Sequence, residues 1–168
     1  MDIQQSTYAK GDWIVHARYG VGQVREMEKK ELDGEKRVFH RVKTFDGEYW
    51  LSVSGINVEY IRPIASEYQI KRALTMVRTT PEELPDSHTL RSKMINEAIK
   101  DASLYTKARM IRDLNGREKE SRLNFTEEDV LSKMKRQFVD EWCVVKKTDR
   151  EILEEKLDEA LNTSTAAI

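Results

Sequence analysis

Few residues in this chain could do covalent or metal chemistry, and they lie far apart. His16, His40 and His88 are the three histidines. Metal-binding sites usually place pairs of ligands a few residues apart, and these separations give no such pair. Cys143 is the one cysteine; it stands beside Trp142 in an apolar stripe and reads as a small hydrophobe rather than a nucleophile. Glu127 and Glu128 are adjacent acids in what reads as the first turn of a helix, where carboxylates favour the helix dipole. The remaining candidate is Gly20-Val21-Gly22. A dinucleotide loop needs a third glycine, a helix directly after it and a βαβ unit. Position 25 is Arg25, and the following residues alternate like a strand up to Asp33-Gly34. The glycines therefore read as a bend, where a strand kinks and another backbone passes close by. No catalytic residue, metal ligand set, cofactor or small-molecule substrate is expected.

The elements that would carry these residues fall into two halves. Residues 11 to about 64 read as short strands: "DWIV", then "GVGQVREMEKKEL", "EKRVFHRVKT", "EYWLSV" and a closing piece near "EYIRPI". In the second, Val21, Gln23 and Arg25 alternate against Gly22, Val24 and Glu26. Asp33-Gly34 and Asp46-Gly47 separate alternating segments, a pattern that predicts type I′ hairpins. On the strand around Trp50, Tyr49, Leu51 and Val53 would point inward, and Trp50 and Ser52 outward. A small all-β unit of this kind limits its exposed edges by curling up.

From Ser66 the period becomes helical. Ile70, Leu74 and Val77 form one stripe, and Pro81 and Pro85 then break the chain. Asp86 or Ser87 can cap a second helix with apolar positions Leu90, Met94 and Ala98; Ser103 can cap a third with Leu104, Ala108, Ile111 and Leu114. Capping boxes are read at Thr126–Asp129 and Thr148–Glu151, ahead of Val130, Met134, Phe138 and Trp142 and of Leu157 and Leu161. "NTSTAAI" reads as a frayed tail. The fold class is α+β: a small SH3- or Tudor-like β-barrel over residues 1–64, then an all-α helical bundle over 65–168.

Composition narrows the function. Lys and Arg number 29 against 30 Asp and Glu, a net charge of -1, so any nucleic-acid site must be a local patch. The polar N-terminus is unlike a signal peptide, no apolar run approaches the ~20 residues of a membrane span, and the single thiol fits a reducing compartment. A cytoplasmic protein with no membrane partner is expected.

The stretch "GDWIVHARYGVGQVREMEKKELDGEKRVFHRVKT" resembles the opening of the CarD/CdnL family of bacterial transcription regulators, a module also found in the transcription-repair coupling factor. Gly11, Asp12, Val15, Gly20, Val21, Gly22, Val24, Glu28 and Gly34 carry the likeness; His16-Ala17 replaces a usual Tyr-Pro, and Tyr19 a common His. "MIRDLNGREKESRLNFTEEDVLSKMKRQFVDEW" resembles the family's helical half. The resemblance implies a barrel that binds the RNA polymerase β subunit through a strand edge, with nucleoid association following from the polymerase. Lys30 falls on one flanking basic position of the family and Ser52 on a second where the charge is lost; Trp50 shares the face of Ser52, and Phe39 and Arg41 share a face on the neighbouring strand. Trp50 is either an interface anchor or a cover over the join between barrel and helices.

The helical half of the family meets promoter duplex DNA, without sequence specificity, at the upstream edge of the bubble and modulates open-complex stability. The family's wedge Trp falls on His88, the largest departure in this chain. Arg91, Lys93, Arg112 and Arg117 are the accompanying candidate DNA contacts, with Arg112-Asp113 alternatively an internal ion pair. Lys133, Lys135 and Arg136 form a second basic cluster, read as surface. The competing reading is an adaptor that binds polymerase while its helices engage no DNA.

Overall fold

The computed structural model describes residues 8–53 and 60–166. Five strands come first: β1 (Trp13–His16), β2 (Gly20–Leu32), β3 (Glu35–Thr44), β4 (Glu48–Ser52) and β5 (Ile61–Pro63). They form one antiparallel sheet in the order β4-β3-β2-β1-β5. Five helices follow: α1 (Glu67–Arg78), α2 (His88–Lys100), α3 (Leu104–Glu120), α4 (Phe125–Lys146) and α5 (Arg150–Thr165). The α+β order is the one the periodicity predicts.

The glycines of β2 serve two different needs. Gly20 has φ +77°, in the left-handed region, at the tight return from β1. Gly22 lies where β3 presses in: a Cβ there would sit 2.7 Å from Val42 Cγ1 and 3.1 Å from the Lys43 carbonyl oxygen. Ile14, Val24, Val42, Tyr49 and Ile61 form the sheet's own core, with Leu51 packed against it. Asp33 and Gly34 both take positive φ, as a type I′ turn requires. The second hairpin differs from expectation. Gly47 is not in the left-handed region, and the Thr44 N–H instead donates to the Gly47 carbonyl across a three-residue loop.

One feature of β2 escapes a simple alternation. The β2–β3 register shifts between Val24 and Met27. Such a bulge adds a residue to one strand and swaps the faces beyond it. Gly22 and Val24 point into the core, yet Glu26, Glu28 and Lys30, of the same parity, make their contacts on the outer face with Arg41 and Trp50.

The helices pack around Phe138, Ile111, Leu114, Leu153 and Leu157, all essentially inaccessible. Phe138 and Trp142 meet edge to face, and Leu153, Leu157 and Leu161 are buried within this core, so neither group offers a docking or pairing face. Four local expectations change. The buried positions of α2 are Arg91, Ile95 and Ala98, whereas Leu90 and Met94 are exposed. The capping box of α4 is Asn124 with Glu127, two residues before the expected Thr126, because Asn124 takes the extended conformation. Asp149 occupies the N-cap of α5 without a side-chain bond. Residues 162–165 are helical rather than frayed, since Ser164 is buried and donates to the Thr79 carbonyl at 2.6 Å.

Sheet and helices are joined by a buried carboxylate. Glu141 of α4 is 1% exposed and accepts two hydrogen bonds from the Arg62 guanidinium of β5, each 2.7 Å, and a third from the Ala65 N–H at 2.9 Å. Arg62 Nε also donates to the Ala102 carbonyl at 2.6 Å. Beside this cluster Lys107 is buried; desolvation pushes its ammonium down to about 8, while Glu141 pulls it partly back.

Replacing Glu141 by Ala leaves the half-buried Arg62 and the buried Lys107 without their counter-charge. It should lower unfolding free energy by about 3–5 kcal/mol in urea titrations. Lys107 gives a pH test. Between about 8 and its ordinary value of 10.5, the unfolded chain holds a proton on Lys107 that the folded chain has released. Stability from this group therefore rises with pH across that window. Subtracting the stability of Lys107→Met from that of the native chain should leave a curve that climbs from pH 8 to pH 10.5; a flat difference would contradict the burial of the ammonium.

Candidate functional site

On the outer face of the sheet the register fixes which side chains meet. Arg41 stands opposite Trp50, and Phe39 opposite Ser52. Across β2, the bulge brings Glu26, Glu28 and Lys30 onto this same face. Trp50 Nε1 donates to Glu28 Oε2 at 2.8 Å, and the Lys30 ammonium sits 3.5 Å from the indole centroid, so the ring is held at its edge by a hydrogen bond and on one face by a cation–π contact. Arg41 is a hub for three acids: Glu26 at 2.8 Å, Glu48 at 3.0 Å and Glu28 at 3.8 Å. The hydrogen bond from Arg41 holds the Glu26 carboxyl below its usual range. Trp50 nevertheless remains 39% exposed. It is a rigid aromatic plate in a ring of charge, on β4, the last strand at one side of the sheet.

Lys30, Arg41, Trp50 and Ser52 are thus gathered on one surface. Of their acidic companions, Glu28 stands in the sequence as a family match with no site role, and Glu26 and Glu48 carry no site signal of their own. Two of them are visible in hindsight as a period-2 run, Glu26-Glu28-Lys30, but their face depends on the bulge.

The five residues expected at DNA are distributed differently. His88 opens α2 and is exposed, behind the N-cap Ser87, whose side chain accepts from the Leu90 N–H. Lys93 is exposed one turn on. Arg91 is 7% exposed and lies inside: Nε donates to Glu127 Oε1 at 2.6 Å, and Nη1 donates to the carbonyls of Pro85 and Asp86. It ties the first turn of α2 to the first turn of α4. Arg112 is also buried; it donates to Asp113 Oδ1 at 2.8 Å and to Thr79 Oγ1 at 2.7 Å. Asp113 in turn accepts from the Glu82 N–H, so this pair holds the proline-rich connection between α1 and α2. Arg117 is half-buried, and its Nε has no hydrogen-bond partner among the described residues. Guanidinium groups held inside position α2 and its approach loop; a phosphate would have to compete with Glu127 or Asp113 for them.

Among the residues α2 shows to solvent are His88, Lys93 and two apolar side chains, Leu90 at 58% and Met94 at 42% exposure. Leu90 and Met94 are four residues apart and share a face. Among the described residues there is no cluster of His, Cys, Asp and Glu able to hold a metal ion, and no helix long and apolar enough to cross a membrane.

These geometries carry a sharp expectation. Arg91→Ala should cost about 3–5 kcal/mol in chemical unfolding, because it strands Glu127 in a buried setting. His88→Ala, in the exposed first turn, should stay within about 0.5 kcal/mol of the native chain. Equal effects would mean that Arg91 is not part of the scaffold.

Two family models match the chain. Residues 8–65 match the one described as CarD-like/TRCF RID domain, and residues 72–158 match the one described as CarD, C-terminal domain. The first match covers the sheet, and the second covers most of the helical half.

Proposed function

Since the chain belongs to the CarD family of RNA polymerase-interacting transcription factors, we propose that the β2–β3–β4 face docks on the polymerase β subunit while α2 meets promoter DNA. The observation that carries this reading is Trp50: a large aromatic, exposed, held in place by Glu28 and Lys30, beside the outer margin of β4. Preordered aromatic anchors lose little entropy on binding and dominate interface energies. An edge strand can add main-chain hydrogen bonds to a partner strand, and the flanking charges select that partner.

The DNA-facing element is the start of α2. Its N-terminus favours phosphate through the helix dipole, and Lys93 adds a mobile positive charge nearby. His88 stands where the family carries an apolar plate. The exposed Leu90 and Met94 supply apolar surface on the same helix, of the kind that can lean into a distorted minor-groove step. Arg91 and Arg112 hold this helix in place from behind. Tethering through the sheet raises the local concentration of a weak DNA-binding face, which suits a chain of net charge -1. Contact of this kind is independent of sequence and acts on the stability of the open complex.

The test uses the full chain with core polymerase and a promoter. Trp50→Ala should weaken polymerase binding by about 2 kcal/mol, roughly thirtyfold, in a direct titration. The double change His88→Ala with Leu90→Ala should leave polymerase affinity intact and change the lifetime of the open complex. Native-like polymerase binding by Trp50→Ala would overturn the docking surface. An unchanged open-complex lifetime in the double variant would leave the chain an adaptor whose helices do not engage DNA.

A further inference from the structure

A cleft of about 300 Å³ lies at the seam between sheet and helices, away from α2; it shares Glu48 with the ring of charge around Trp50. The β1–β2 turn contributes Arg18 and Tyr19, the β3–β4 loop Asp46 and Gly47, and α4 Lys133 and Arg136. Lys133, Arg136 and Gln137 fall on one side of α4 by their spacing of three and four residues. The turn is fixed against this helix: Gln137 Nε2 donates to the Arg18 carbonyl at 3.0 Å, and a Cβ on Gly20 would come within 3.3 Å of Gln137. The cations are thus held on two elements that cannot drift apart without breaking the seam.

The charges in the cleft are not balanced in place. Two of its carboxylates are ion-paired, Asp140 with Arg150 and Glu48 with Arg41; Asp46 accepts from Thr44 Oγ1 and keeps its charge, leaving one carboxylate against three cations. Among the described residues Arg18, Lys133 and Arg136 form no ion pair with a carboxylate, and all three are exposed to solvent within the concavity. Tyr49, which also lines the cleft, is 8% exposed, and its hydroxyl has no hydrogen-bond partner among the described residues. Tyr19 stacks on it at 4.7 Å between centroids, with the Arg18 guanidinium 5.6 Å from the Tyr19 ring. Three cations without a carboxylate partner and the Tyr19–Tyr49 aromatic wall line one small volume.

We infer that this seam binds the polyphosphate group of a small ligand, such as a nucleoside diphosphate. Three cations carried on two joined elements suit a polyvalent anion, and guanidinium groups suit phosphate oxygens in particular. The volume is at the lower end of small-ligand sites. Duplex DNA is disfavoured as the occupant, because a concavity of about 300 Å³ has the size of a small-ligand site and cannot seat a duplex. The site does not depend on the polymerase or promoter reading, and it couples the sheet to α4 directly: a bound anion would draw Arg18 of one module toward Lys133 and Arg136 of the other.

The test is an amide-shift titration of the full chain at fixed ionic strength with inorganic pyrophosphate, ADP and a short DNA duplex in separate arms. Pyrophosphate and ADP should give saturable shifts at Arg18–Gly20 and Gly47. Arg18→Ala with Arg136→Ala should weaken both by at least about tenfold, while Lys36→Ala, a surface cation on the distant hairpin, should change neither. The inference fails if neither small anion saturates, or if Lys36→Ala weakens binding as much as the seam variant. It fails as well if the duplex alone perturbs these amides, since the cleft would then be a DNA contact.

Discussion

The Glu141 carboxylate is the constraint on which the arrangement of this protein rests. A buried anion without partners is costly, and this one is satisfied only when Arg62 of β5 and the Ala65 N–H arrive together from the chain that leaves the sheet. The bond that neutralises α4 is therefore the one that orients the sheet on the helices. Gln137, one turn earlier on α4, makes the second attachment, to the Arg18 carbonyl. Two polar contacts from one helix hold β5 and the β1–β2 turn, and everything else on the sheet follows from them by hydrogen-bonded register.

The same logic of internal pairing reappears at α2. A helix with few apolar contacts is fastened by Arg91 to Glu127 and to the two carbonyls before it, and its approach loop by Arg112, Asp113 and the tight contact of Pro81 on Gly116. Using arginine for scaffold frees the exposed side of α2 from structural duty. Leu90 and Met94 can stay in solvent there because the helix does not need them for its core. The docking face on the sheet shows the reverse economy: its charges are paired with one another around Arg41, and their combined effect is to keep one indole rigid and open.

Much of this was legible in the chain alone. Asp33-Gly34 demanded positive φ at both positions and has it; the apolar stripes of α1 and α3 fell where the period of 3.6 put them; the outward direction of Trp50 and inward direction of Tyr49 followed from strand alternation. The family likeness rested on ordered glycines and apolar positions that are local requirements of a turn or a strand. Charged residues were harder to read. An arginine in a sequence looks the same whether it faces a phosphate or a buried glutamate thirty-six residues away, as Arg91 faces Glu127. In α2 the buried row carries Arg91 in place of a third apolar residue, so the stripe was placed one residue early, on Leu90 and Met94.

The residues alone determined the order of elements, strands first and helices after, and the hairpin at Asp33-Gly34, because each depends on neighbours within a few positions. Tertiary structure decided which face Lys30 occupies. Plain alternation from Gly22 and Val24 would have turned it inward, and the register shift before Met27 turns it out to meet Trp50. A bulge is chosen by the fit of a whole strand against its partner and the core beneath, and that fit is a sum over residues far apart in sequence.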